Sequence, residues 1–221
     1  MCFSAPASFI AGASLSAIGI ATIKKTKSAK EIPLALIPLL FGIQQLIEGV
    51  IWLTFHYEAP LLKQIMTFLY SGFSHVLWPI YVPFAMLVLE AIPWRKKAIL
   101  VFEIAGILVG LFLLFFMVAD PMVAEVIGHH IVYVSPHFYK VPVMALYLAA
   151  TCGSCFFSSH FFVRLFGGMM LLAFIAAYII HAQAMVSVWC FFAAVLSLVI
   201  YFHLKFRNLG GFPKINSKKA L

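Results

Sequence analysis

Seven apolar runs, each at or near the roughly 20 residues a helix needs to cross a hydrocarbon core, constrain this chain more than anything else in it. They run from Ser8 to Ile23, Pro33 to Phe55, Ile65 to Leu89, Ala98 to Ala119, Val141 to Phe157, Phe161 to Ile180 and Met185 to Leu204. Backbone inside lipid must satisfy its own polar groups, and runs of this length do so as helices. Composition agrees, with 64% hydrophobic and 10% charged residues, against roughly 25% charged in a soluble domain. The expected fold is therefore an all-α integral membrane protein of about seven helices. Residues 1–207 are read as one transmembrane domain and 208–221 as a flexible basic tail.

The net charge of +8 does not point to nucleic acid, because the cations stand in short clusters between apolar runs. Lys and Arg in short loops are retained on the cytoplasmic side, so their positions set the orientation. Lys24, Lys25, Lys27 and Lys30 follow the first run; Arg95, Lys96 and Lys97 the third; Arg164 the fifth. Lys205, Arg207, Lys214, Lys218 and Lys219 close the chain, while Lys63 and Lys140 fall on the other side. Seven crossings with the N-terminus outside and the C-terminus inside put every cluster in the cytoplasm. The short Ser158-Ser159-His160 link makes the fifth and sixth segments a tight hairpin or a partly re-entrant pair. Pro33, Pro60, Pro93, Pro121 and Pro136 fall at helix ends, but Pro79 and Pro83 lie within the third span, which should bend there. The outer connection from Asp120 to Lys140 is too polar to span and is read as a lid over the helix ends.

Polar side chains at membrane depth are expensive, which makes each a candidate for function. In the second span Gln44, Glu48, Trp52 and His56 recur every fourth residue, with Gln45 beside them, forming a stripe that must face protein or water. A packing seam between helices is the plainer reading of the same stripe. The third span carries Ser71, Ser74, His75, Trp78 and Tyr81 at matching depth. Tyr178, His181, Ser187, Trp189 and Cys190 lie towards the outside on the last two spans. An outward-opening polar pocket lined by these residues is expected, with Glu48, His75 and Ser71 as catalytic candidates and Gln44, Gln45, Trp52, Trp78 and Tyr178 around the substrate. Glu and His ligate zinc readily, so His75, His181 and Glu48 form a candidate metal set, with Cys2 as a further ligand. The small residues around Cys152 and Cys155 read as helix packing, and Glu103 needs a partner.

Met1-Cys2-Phe3-Ser4-Ala5, Ala7-Ser8-Phe9, Pro33-Leu34-Ala35 and Gln44-Gln45-Leu46-Ile47-Glu48-Gly49 with Trp52 resemble a family of small, uncharacterised bacterial polytopic membrane proteins. That resemblance implies the bacterial cytoplasmic membrane and brings no activity with it. Seven spans and Ser71-x-x-x-His75 are also similar to membrane hydrolases related to alkaline ceramidases and adiponectin receptors, which hold zinc. The last span here lacks the His-x-x-x-His of those enzymes. Three functions stay open: metal-dependent hydrolysis of a lipid-like substrate, ion- or proton-coupled transport through Glu48 and His75, and a sensory subunit holding haem between His56 and His181. The bilayer is the one partner expected in every case, and nucleic acid in none.

Overall fold

A computed structural model of the chain describes residues 4–120, 122–128, 130–134, 137–138, 140–180 and 184–206. Proline and small polar residues start the helices where a missing N–H costs nothing. Ser4 caps α1 (Ala5–Ile23), its hydroxyl accepting from the Ala7 N–H at 3.4 Å with Pro6 in the first turn. The Glu31 carboxylate accepts from the Lys27 N–H at 2.7 Å and closes the basic loop before α2 (Ile32–His56). Pro60 opens α3 (Pro60–Ser71), which continues through a π-helical segment, Gly72–Leu77, into α4 (Trp78–Leu89). Pro93 opens α5 (Pro93–Ala119). The span expected to bend at Pro79 and Pro83 carries a π segment just before Pro79, whose ring withholds an N–H from the preceding turn.

The connection after α5 forms an antiparallel hairpin of β1 (Val123–Ile127) and β2 (His130–Val134), turned by Gly128 at φ +64°. Next come α6 (Val141–Leu148), a second π segment at Ala149–Gly153, α7 (Ser154–Phe156), α8 (Phe161–Ile180), α9 (Met185–Leu196) and α10 (Leu198–Phe206). Among the described residues six helical stretches are long and apolar enough to cross a membrane: Ala5–Ile23, Ala29–His56, Pro60–Leu89, Pro93–Ala119, Phe161–Ile180 and Met185–Phe206. Val141–Phe156 is apolar but shorter.

Close approach of backbones holds the bundle together, since between helices in lipid packing replaces the hydrophobic effect. A Cβ added at Gly19 of α1 would stand 2.5 Å from the Leu39 backbone nitrogen of α2, and one at Gly106 of α5 only 1.9 Å from the Pro79 carbonyl oxygen. A Cβ added at Gly167 of α8 would stand 2.5 Å from the Cys155 Cβ, so Cys155 sits at a close helix contact. The most apolar stretch of Ala29–His56 is 61% buried, against 28% in Ala5–Ile23 and 33% in Pro93–Ala119, so α2 is buried more deeply than α1 and α5.

The basic loops gather at one end. Arg95 donates to the carbonyls of Phe157 and Ser158 at 3.2 and 3.0 Å, and Glu90 accepts from the Ser159 N–H at 2.6 Å. His160 lies within electrostatic range of Glu90 and Glu31, and its ring packs 5.4 Å from that of His203 in α10. The β-hairpin occupies the opposite end.

Candidate functional site

Helix α2 turns Gln44, Gln45 and Glu48 into the bundle, all three at 0% exposure. A bare carboxylate there would cost several kcal/mol, so its surroundings must supply donors. Glu48 Oε1 accepts from the Ser187 hydroxyl of α9 at 2.7 Å and from the Tyr133 hydroxyl of β2 at 3.5 Å. Tyr133 is itself buried and stacks on Tyr70 of α3, with ring centroids 4.2 Å apart and planes 8° from parallel. One turn deeper, the Trp78 indole N–H donates to Gln44 Oε1 at 2.8 Å, and its ring stacks on Phe41 at 3.9 Å. The Cys190 thiol sits beside the Gln44 amide and the Tyr70 hydroxyl.

His75 falls in the π segment, 1% exposed, with Nδ1 2.8 Å from the Ser74 hydroxyl and its ring against Phe138 at 4.7 Å. The Tyr147 hydroxyl of α6 donates to the Ser74 carbonyl, tying the two π-bearing helices together. Single π turns inside helices are frequent at functional sites. Ser71 is fully buried one turn earlier, and its hydroxyl has no partner among the described residues.

The residues expected to line the site therefore mostly face inwards. Tyr178 does not: it is 48% exposed and stacks on Phe174 of its own helix, so it lies at the rim of the bundle. Trp52 is partly buried at the edge of the core. Tyr133 and Phe138 of the connection between α5 and α6 are buried against the expected pocket, on Glu48 and His75. A tight apolar cavity of about 10 Å³ is bordered by Phe41, Trp78, Tyr147, Trp189 and Cys190, with room for one water at most. Sequence reasoning missed Tyr133 and Tyr70, and an aromatic beside β-branched residues in the outer connection was the signal that could have found the first.

The metal set fares differently. His181 and Cys2 lie outside the described residues, as does the tail from residue 208. Among the described residues no group of three or more His, Cys, Asp or Glu side chains could hold a metal ion. His56, the other haem candidate, stands exposed at the end of α2, edge-on to Tyr57 at 4.9 Å. Cys152, Cys155 and Cys190 are buried free thiols.

Residues 1–213 match a family described as "Family of unknown function (DUF6629)". No curated protein and no solved structure matches the chain.

Proposed function

The chain belongs to this family of unknown function, and since membership supplies no activity we propose that it is a seven-helix, proton- or ion-coupled carrier of a small molecule, with Glu48 as the coupling carboxyl. The observation that carries the reading is that a fully buried membrane carboxyl is held by two hydroxyls, one of them on a hairpin outside the helices. A hydroxyl can follow a carboxyl through loss and gain of its proton, donating to the anion and accepting from the acid. The hairpin would act as the outer gate, and the π segments with Pro79 and Pro83 as the hinge. His75 is the second group proposed to relay the proton.

Seven crossings are part of the proposal. The contacts of Arg95 and Glu90 with residues 157–159 support a return of Val141–Phe156 from the hairpin end to the basic end, although it is shorter than the others. The N-terminus would then lie outside and the C-terminus inside, in the cytoplasmic membrane of a bacterium. A reporter active only outside the cytoplasm should work within residues 120–140 and fail after Leu221; an exported C-terminal fusion sinks the topology.

The function is tested on purified protein in liposomes carrying a pH-sensitive dye. A pH gradient should relax faster with the wild type than with Glu48→Gln, which keeps shape and hydrogen bonding but cannot ionise. Equal relaxation rates for the two would refute the coupling role. A metal-dependent hydrolase of a lipid-like substrate stands second, favoured by Ser71, Ser74 and His75 packed within two turns. Stoichiometric zinc in the purified protein would move it ahead, and a Soret band would instead revive haem.

A further inference from the structure

The second intramembrane carboxyl, Glu103, lines a groove that shares no lining residue with the group that bonds Glu48. It lies between α3–α4 and α5, is open on one side, and has a volume of about 430 Å³. Its wall runs from Phe68 and Met117 near the hairpin end to Phe84 and Glu103, about 20 Å along α5 at the usual helical rise. The lining is apolar apart from Tyr81 and Glu103, and the Tyr81 hydroxyl already donates to the Pro33 carbonyl at 2.9 Å. Glu103 is only 8% exposed, and its Oε2 has no hydrogen-bond partner among the described residues. At Gly72, in the π segment, an added Cβ would meet nothing within 4 Å, so the floor of the groove is open.

We propose that this groove binds a long-chain amine, its hydrocarbon chain along the α3–α4 wall and its nitrogen on the Glu103 carboxyl. Bulk lipid tails fill an apolar groove without selectivity, so selectivity must come from the one polar group. An ordinary acyl chain leaves the carboxyl oxygen without a donor, and a long-chain acid adds like charge. An alcohol offers one neutral hydrogen bond, whereas an ammonium makes a charge-assisted bond that also cancels the carboxylate charge in a low-dielectric site. The wall is about 20 Å long against about 15 Å for one leaflet of hydrocarbon core, so a single lipid chain can lie along it.

The test uses the full chain in lipid nanodiscs and a nitroxide-labelled hexadecylamine, whose immobilised fraction is read by electron paramagnetic resonance. Labelled hexadecanol and hexadecanoic acid of matched length are the controls. The amine should be retained about fivefold better than the alcohol, the difference between a charge-assisted and a neutral hydrogen bond. Glu103→Gln should level the two while leaving the melting temperature near that of the wild type. Gly72→Leu fills the groove without touching the carboxyl and should reduce retention of both. Equal retention of amine, alcohol and acid by the wild type overturns the proposal, as does an amine preference that survives Glu103→Gln or a retention of both that Gly72→Leu leaves unchanged.

Discussion

Glu48 and Glu103 are the same side chain buried in the same bundle, and the protein surrounds them differently. Glu48 sits on α2 with hydroxyls from α9 and the β-hairpin delivered to one oxygen. Glu103 sits on α5, in an apolar groove, with an oxygen that no described residue reaches. The difference teaches that burial alone does not define the role of a membrane carboxyl. What matters is whether the surrounding donors were built by the protein or left to be brought by something else.

Several substitutions break or sharpen that contrast, taken here from the largest effect downwards. Glu48→Leu leaves the Ser187 and Tyr133 hydroxyls buried without their acceptor, at about 1–3 kcal/mol for each stranded group. A large drop in melting temperature, measured in detergent, is the expected outcome. Glu103→Leu, removing a carboxyl whose Oε2 has no partner among the described residues, should be neutral or stabilising in the same assay. If both variants lose stability equally, the contrast is wrong.

Gly106→Ala comes next, because its methyl would stand 1.9 Å from the Pro79 carbonyl oxygen and must push α5 from α4. Overpacking of this kind costs about 1–3 kcal/mol, and the wall of the Glu103 groove should shift with it while the Glu48 cluster does not. Cysteine cross-linking across each site would show whether only one of them moves. Tyr133→Phe is milder: it removes the longer of the two bonds to Glu48, at 3.5 Å, and keeps the ring stacked on Tyr70. The expected loss is about 0.5–1.5 kcal/mol, with faster hydrogen exchange confined to β1 and β2.

The smallest effect lies at the basic end, where burial lowers the pKa of His160 below the usual histidine value despite the opposing pull of Glu90 and Glu31. The unfolded chain then binds a proton more readily than the folded one, so this contribution to stability is present above the ordinary pKa and is lost as pH falls through the depressed one. Melting temperature should decline slightly more steeply below about pH 6.5 in the wild type than in His160→Gln. Identical slopes would remove His160 from the account.

Much of this architecture was legible because hydropathy and proline act locally. Pro60 and Pro93 start helices, and a π segment stands just before Pro79, in the span expected to bend. The inward faces of Gln44, Glu48 and His75 followed from their cost in lipid, and 0–1% exposure agrees. Partners were another matter. Tyr133 stands 85 residues from Glu48 and Ser187 stands 139 away, and no local pattern links them. Tyr178 was placed by depth alone; helix phase and the lack of cover at that height leave its ring half exposed beside Phe174. The second π segment, Ala149–Gly153, contains no proline, so nothing in the residues announced it.

The separation between Glu48 and its donors has a consequence for biosynthesis. Helices α1 and α2 are neighbours in sequence whose backbones touch, so they can close as a pair soon after both are made. Glu48 is then already in the membrane, yet the chain that will supply Ser187 is 139 residues behind it. At about 5–20 residues per second, translation takes on the order of ten seconds to deliver that hydroxyl. During that interval the nascent carboxyl has to stay protonated, remain near the insertion machinery, or borrow water, and the order of synthesis rather than the strength of the final contacts sets how long it waits.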